Sequence, residues 1–541
     1  MDTTPTIKTL SDNEPINNHL NQNRQNQIDL SQRRRAALAE IDNAQFGWFH
    51  VRAVLVSGVG FFTDAYDIFA INLASTMLGY VIHNGGRLTA NQDLGIKVAT
   101  PVGTFCGQLL FGWLADVYGR KRMYGIELMI IIISTLGQAV AGSGHAISLI
   151  GVLVIFFMGL GIGGDYPLSA CITSEFAAVR IRGRMMTAVF ASQGFGQLTA
   201  SIVSLIVVKA YESAIKADLT PGLSVDGCWR FLIGLGAIPG AIALYFRLTI
   251  PETPRFTMDI ERDVKGAAGD VDAFLSTGGY AAHEYEQQKD EVADIPKASS
   301  RDFLQHYSQL KNFKILFGCA WSWFALDVAF YGLGLNSSIV LTAIGFGTAS
   351  TGSATERIYN TLINISVGNI ILSVAGLIPG YWVSFFLIDL WGRKPIQIMG
   401  FSALTILFII MGVAYHPLIN NALPAFIVLY CLANFFQNFG PNTTTFVIPG
   451  ECFPTRYRST SHGISAASGK LGAIVAQVGF ARLKDIGGKD QFIDHIFEIF
   501  AGFMFTGLLT SFLVPETKGK TLEELSGEDQ DNFVRGGEEQ E

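Results

Sequence analysis

Twelve apolar stretches constrain this chain before any motif is considered. A helix rises 1.5 Å per residue, so about twenty apolar residues cross a hydrocarbon core of about 30 Å. Such stretches lie near residues 51–80, 97–118, 123–142, 147–173, 186–210 and 229–249. Six more lie near 313–345, 361–389, 396–416, 422–449, 461–483 and 493–514. Only 15% of the residues are charged, against about a quarter in a soluble globular chain. The pattern predicts an all-α membrane protein with 12 transmembrane helices, and a lipid bilayer as its surroundings. Basic residues form short clusters beside apolar segments, which argues against nucleic acid as a partner.

The polar segments divide the chain. Residues 1–45, rich in Asn and Gln and including Arg33-Arg34-Arg35, read as a disordered cytosolic tail. No secretory leader is read there, so the first span is expected to be the insertion signal. Residues 46–250 form one six-helix bundle and 313–515 a second. Between them, 251–312 is a polar, acidic cytosolic loop with some helix, and 516–541 is an acidic cytosolic tail. Lys and Arg favour cytosolic loops. Arg120-Lys121-Arg122, Arg180/Arg182/Arg184, Arg393-Lys394 and Arg456/Arg458 all fall in alternate loops, which predicts that both termini are cytosolic. The six cysteines are scattered without metal-ligand spacing and read as apolar fillers. No nucleophile–base pair, phosphate loop or metal cluster is read, so neither an enzyme nor a cofactor is expected.

The two halves repeat. Asp116-Val117-Tyr118-Gly119-Arg120-Lys121 matches Asp389-Leu390-Trp391-Gly392-Arg393-Lys394, and Pro251-Glu252-Thr253 matches Pro515-Glu516-Thr517. Glu175 precedes Arg182 by the same step as Glu451 precedes Arg458. A repeat of this kind is the mark of parallel six-helix halves. The Asp–Arg and Glu–Arg sets are expected to form ion pairs that clamp one conformation. The pattern resembles the major facilitator superfamily, and the fold expected is therefore two six-helix repeats.

Depth arithmetic selects polar residues near the membrane midplane, about ten residues into a span. Asp64 is 12 residues past Arg52, Asp165 is 10 before Glu175, and Gln193 is nine past Arg184. Asp327 is 13 past Lys314, Asn438 is 13 before Glu451, and Lys470 is 12 past Arg458. Trp323, Asp327 and Tyr331 share a helix face, as do Asp64 and Asp67. Tyr166 adjoins Asp165, and Pro167 is expected to loosen the helix beside it. Other readings stay open. The aromatics can be ordinary packing, Gln193 and Asn438 interhelical glue, Lys470 a snorkelling or neutralising cation, and Asp67 a structural partner of Asp64. Asp165 has no basic neighbour within its own span. Four carboxylates (Asp64, Asp67, Asp165, Asp327) against Lys470 would repel an anion unless some acids carry protons. Proton–anion co-transport follows as an expectation, although the count equally fits proton–cation exchange.

Further motifs narrow the class. Gly163-Gly164-Asp165-Tyr166-Pro167-Leu168-Ser169-Ala170, Phe62-Thr63-Asp64-Ala65-Tyr66-Asp67, Asn438-Phe439-Gly440-Pro441-Asn442 and Gly450-Glu451-Cys452-Phe453-Pro454-Thr455-Arg456 resemble the phosphate:H+ symporter family. The chain is most similar to its fungal high-affinity inorganic phosphate transporters of the plasma membrane. The resemblance implies proton-coupled symport of inorganic phosphate by alternating access. It implies phosphate contacts at Tyr166, Gln193, Trp323, Asp327, Tyr331 and Asn438, with Lys470 as the cation. Asp64 and Asp165 would lie on the proton path, with Asp67 nearby. Asn434 competes with Asn438 for the tenth-helix contact, and Asn438 is favoured because it belongs to the matched motif. The family commonly has Arg ten residues before the motif Asp, where this chain has Ile155, and that removes a possible partner for Asp165. Transport of another phosphorylated solute such as a glycerophosphodiester, a combined transporter and nutrient sensor, and a sugar porter are the alternatives. The last has no need of four midplane acids.

Overall fold

A computed structural model describes residues 36–527, apart from 83–87, 142–146, 221, 249–251, 262–298, 344, 346–348, 350 and 489. The described residues are helical wherever they are regular. In the first half the bundle helices are α1 (Trp48–Ile82), α2 (Ala90–Tyr118), α3 (Arg120–Ala139), α4 (Ile147–Phe176), α5 (Arg182–Ala210) and α6 (Val225–Arg247). In the second they are α7 (Leu310–Gly334), α8 (Ala354–Trp391), α9 (Arg393–Val413), α10 (Leu423–Cys452), α11 (Arg458–Leu483) and α12 (Ile493–Thr510). Eleven of them are long and apolar enough to cross a membrane. The other, α3, carries Arg120, Lys121, Arg122 and Glu127, yet packs on α4 as a member of the bundle.

Several helices begin about three residues before the apolar stretch that predicts them, because their charged first turns still make helical hydrogen bonds outside the hydrocarbon. Pro167 does not interrupt α4, which runs unbroken from Ile147 to Phe176. The irregular backbone lies elsewhere. α8 contains a wider turn at Ser373–Leu377, and α10 breaks at Phe439-Gly440. The Asn438 carbonyl left free by that break accepts from Ser384 Oγ at 2.8 Å and Thr443 Oγ1 at 2.7 Å, as buried backbone at membrane depth requires.

The repeated motifs have a repeated geometry. Gly119 and Gly392 adopt φ 98° and 101°, a conformation open to glycine and strained for other residues. The helix that follows each glycine is capped by the glutamate of the repeated Pro-Glu-Thr. Glu252 accepts from the backbone N–H of Arg120 (3.2 Å) and Lys121 (3.1 Å). Glu516 accepts from Arg393 (3.1 Å) and Lys394 (3.0 Å). A carboxylate at a helix N-terminus is favoured by the unpaired N–H groups and the helix dipole.

The two halves meet through α2 with α11 and α5 with α8. At the Gly-Arg-Lys end, each motif aspartate caps a helix of the opposite half. Asp116 accepts from Ser459 N (3.2 Å), Thr460 N (2.7 Å) and Thr460 Oγ1 (2.7 Å), and Asp389 accepts from Arg184 N (3.0 Å). The ion pairs are not distributed as the repeat predicts. Asp116–Arg120 (3.3 Å) and Asp389–Arg393 (2.9 Å) form within their motifs. Glu175, however, pairs with Arg458 across the halves at 2.8 Å and with Arg120 at 3.5 Å, and Glu451 pairs with Arg393 at 2.8 Å. Arg182 turns away from both glutamates to Asp42 at 3.3 Å. The reason is geometric: each Glu ends its helix against the adjacent motif arginine, and Arg458 reaches Glu175 across the seam.

Residues 36–42, expected in the disordered tail, are helical, with Leu38 and Ile41 buried against Met258. Asp42 also meets Arg255 at 3.0 Å, and Arg255 binds Glu523 at 2.9 Å on the short helix Leu522–Ser526. Burial opposes ionisation of Glu523, but the Arg255 guanidinium outweighs it and holds that carboxyl at about 2. Residues 300–308 of the central segment are helical as well, anchored by Asp302 to Arg456 at 2.9 Å. The remaining parts of the predicted tails and loop, 1–35, 262–298 and 528–541, lie outside the described residues.

Candidate functional site

Six of the predicted residues converge between the halves, each 5% exposed or less. Lys470 of α11 donates to Asp327 Oδ2 at 3.0 Å and to the Tyr331 hydroxyl at 2.9 Å, both on α7. The Tyr331 hydroxyl lies 3.4 Å from that of Tyr166 on α4, and Gln193 of α5 donates to Tyr166 at 3.5 Å. Trp323 closes the group, its ring 6.2 Å from that of Tyr166. The Lys470 ammonium faces the rings of Tyr331 at 4.2 Å and Tyr166 at 4.8 Å, a cation–π arrangement that favours the charge in an enclosed place. One cation, one carboxylate, three hydroxyl- or amide-bearing side chains and an indole therefore share one buried volume.

Asn438 stands apart from this group. Its Nδ2 donates to Asn434 O at 2.7 Å, and its Oδ1 accepts from Asn442 Nδ2 at 2.7 Å. Asn442 also donates to the Tyr381 hydroxyl at 2.9 Å. Tyr381 reaches the α5 wall beside Gln193, where a Cβ on Gly194 would lie 3.0 Å from its ring. Asn438 thus joins the site through Asn442, quoted in the sequence only as part of its motif, and Tyr381, which the sequence reading did not name. Asn434 turns its amide to Tyr430 O at 3.0 Å.

The second cluster lies within the first half, one residue along α4 from Tyr166. Asp165 is not without a cation. Arg247, from the far end of α6, donates to Asp165 Oδ2 at 2.6 Å and also to Glu127 Oε1 of α3. Its guanidinium stacks on the Tyr124 ring at 3.9 Å. Ser169 donates to the other Asp165 oxygen at 2.5 Å and meets Tyr124 OH at 2.8 Å. Ile155, ten residues or about 15 Å of helix rise from Asp165, could not have mattered as a direct partner. Arg247 looks, by sequence, like one more arginine at the membrane surface, and nothing in the pattern shows that it turns inward. Glu127 did carry a signal. It lies seven residues past Arg120 in the third span, at a depth the same counting would reach.

Asp64 differs from every other acid here. It is 1% exposed, and among the described residues neither of its oxygens has a hydrogen-bond partner. Asp67 faces elsewhere, its Oδ2 accepting from Thr135 at 2.8 Å, so it is not the structural partner of Asp64. One turn before Asp64, Gly60 leaves the room that Arg247 and Asp165 occupy. A Cβ on Gly60 would overlap both the Arg247 guanidinium and the Asp165 carboxylate. Gly60→Ala should therefore cost about 1–3 kcal/mol of stability through overpacking and lower the thermal midpoint of the purified protein. Gly95→Ala, where nothing lies within 4 Å of the added methyl, should not. Equal midpoints for the two variants would show that the ion pair can move aside.

Residues 53–528 match the family described as "Sugar (and other) transporter". The chain is 51% identical over 534 residues to the repressible high-affinity phosphate permease of Neurospora crassa, covering 95% of this chain and 92% of that one. It is 48% identical over 540 residues to the inorganic phosphate transporter PHO84 of Saccharomyces cerevisiae, covering 95% and 90%. Among solved structures it superposes on the proton:xylose symporter XylE with a TM-score of 0.68 at 22% identity, over 88% of this chain and 98% of that one.

Proposed function

Since the chain belongs to the sugar (and other) transporter family of the major facilitator superfamily, we propose that it carries inorganic phosphate into the cell together with protons. The observation that supports this most is the Lys470–Asp327 pair with its two tyrosine hydroxyls. A proton-bearing phosphate presents both acceptor oxygens and an O–H. Lys470, Tyr166, Tyr331, Gln193 and Trp323 can donate to the first, and Asp327 can accept from the second. A sugar would need neither the ammonium nor the carboxylate.

The proton reading rests on Asp64. An isolated ionised carboxylate at membrane depth costs several kcal/mol, so Asp64 without a partner is held as the neutral acid. Asp165 and Glu127 share the Arg247 guanidinium. Asp165 is covalently adjacent to Tyr166, so a change of charge around Arg247 is felt at the phosphate site. In the cycle we envisage, Asp64 takes a proton from the outer side, phosphate binds against Lys470, and the halves rock. The charged contacts at the Gly-Arg-Lys end then part, and Asp64 releases its proton to the cytosol. Loop charge favours cytosolic termini, and the fungal relatives favour the plasma membrane as its location.

The test is uptake of labelled phosphate by the full chain in proteoliposomes. One proton moved down one pH unit supplies about 1.4 kcal/mol, a tenfold concentration ratio. An acid exterior should therefore accumulate phosphate about tenfold per pH unit and per coupled proton. Uptake indifferent to the gradient would remove the proton from the proposal, and stronger competition by a glycerophosphodiester than by phosphate would change the substrate.

A further inference from the structure

The end opposite the Gly-Arg-Lys motifs contains a second lysine–aspartate pair that the transport site does not use. Lys97, near the start of α2, donates to Asp93 Oδ2 at 2.9 Å, as Lys470 does to Asp327 at 3.0 Å. Lys97 is 3% exposed although Asp93 is 24% exposed, so its stem is buried and its ammonium is aimed inward. That ammonium crosses to the other half, donating to Asn336 Oδ1 at 3.1 Å. Asn336 donates in turn to Gln477 Oε1 at 3.0 Å, and Gln477 donates to the Tyr331 carbonyl at 2.8 Å. A hydrogen-bonded chain thus runs from Lys97 to the backbone of a residue whose hydroxyl holds Lys470.

Lys97 and Asp93 also line a cavity of about 620 Å³ between the halves. Lys484 and Asp485, paired at 2.7 Å, line it too. So does Ser338, which is 4% exposed and whose Oγ has no hydrogen-bond partner among the described residues. A separate pocket of about 20 Å³, which shares Asp93, Lys97 and Lys484 in its wall, borders Asn336 and Gln477. An unpaired buried hydroxyl is a group waiting for a partner, and here it shares a cavity with two ammonium groups.

We infer that this cavity is an outer capture site for phosphate, in which Lys97, Lys484 and Ser338 donate to its oxygens and Asp93 accepts its O–H. The inference rests on the phosphate-transport reading. Phosphate bound there competes with Asn336 for Lys97. Capture therefore loosens one of the contacts joining the halves at this end, beside Asn72–Ser337 at 2.8 Å and Ser204–Ser366 at 2.9 Å.

The test uses cells in which the full chain is the sole phosphate carrier, with initial uptake measured against external phosphate. Loss of one charge-assisted contact weakens capture about tenfold. Lys97→Gln should therefore raise KM about tenfold at unchanged maximal rate, and Lys97→Arg should restore it. Ser338→Ala should raise KM by a smaller factor of about threefold, the worth of a neutral hydrogen bond. In the purified Asp327→Asn protein, whose central site is impaired, residual saturable binding of labelled phosphate should vanish on adding Lys97→Gln. An unchanged KM in Lys97→Gln, or a lowered maximal rate alone, overturns the capture site and leaves Lys97 a latch between the halves. Should Lys97→Gln fail to reach the membrane, an unchanged KM in Ser338→Ala overturns it instead. If the wild-type chain takes up no phosphate, the transport reading falls first and this one with it. Wild-type uptake with normal kinetics in both variants rejects only the capture site.

Discussion

Asn in place of Asp64 is expected to leave phosphate exchange across the membrane near the wild-type rate while abolishing accumulation driven by a pH gradient. The reason lies in what Asp64 lacks. Asp165 and Glu127 share the Arg247 guanidinium, Asp67 has Thr135, and Asp327 has Lys470. Only Asp64, among the described acids of the membrane interior, has both oxygens without a partner. An amide mimics the protonated acid in shape and in charge, so the loaded carrier can still rock, but it cannot release a proton. The tenfold ratio per pH unit supplied by one proton should fall to unity, read as labelled phosphate retained by proteoliposomes with and without an acid exterior. Asp165→Asn provides the contrast. It leaves part of the Arg247 guanidinium unpaired, and breaking a buried ion pair costs about 3–5 kcal/mol, so its first effect should be a lower thermal midpoint. Retention of full gradient-driven accumulation by Asp64→Asn would move the coupling role away from Asp64. Clean uncoupling in a fully stable Asp165→Asn would assign it to Asp165.

Helix rise explains how much of this was legible in the sequence. Counting residues from a charged loop converts directly to depth. It brought Gln193, Asp327 and Lys470 to one level, adjacency to Asp165 added Tyr166 and the shared helix face of Asp327 added Tyr331, and the structure joins these five by hydrogen bonds. Depth does not specify azimuth. Asn438 lies at the expected level, yet its amide is turned to Asn434 and Asn442, so Tyr381 and Asn442 stand between it and the rest. Nor does counting describe long side chains. Arg247 has its Cα at the end of a span and its guanidinium among the interior acids, which reversed the reading of Asp165 as an acid without a cation. The repeat was equally informative and equally partial. It identified Asp116 and Asp389 as equivalent, and each does cap a helix of the other half. It could not reveal that Glu175 reaches Arg458 while Arg182 is drawn to Asp42, because the terminal segments that break the symmetry have no counterpart in the repeat.

Asp327→Asn should be the more damaging change at the phosphate site itself. In the native protein Lys470 is neutralised by Asp327 at 3.0 Å and is 3% exposed. Removing the carboxylate charge leaves a buried ammonium without its counter-charge and replaces the ionised acceptor for the phosphate O–H with a weaker, neutral amide oxygen. Either loss alone is worth a few kcal/mol, so uptake at low phosphate should fall about a hundredfold or more. The two effects separate in a second variant. Asp327→Asn with Lys470→Met removes both charges, relieves the unpaired ammonium and should recover thermal stability without recovering uptake. Selectivity is the sharper readout. Sulfate has no proton to offer near neutral pH, and an ionised Asp327 would repel its second charge. The amide in Asp327→Asn accepts no less geometrically but repels nothing. Residual phosphate uptake in that variant should become sensitive to sulfate, to which the wild type is indifferent. Should sulfate still fail to compete, the discrimination resides outside the Lys470–Asp327 pair, and the tyrosine hydroxyls of Tyr166 and Tyr331 would be the next groups to replace.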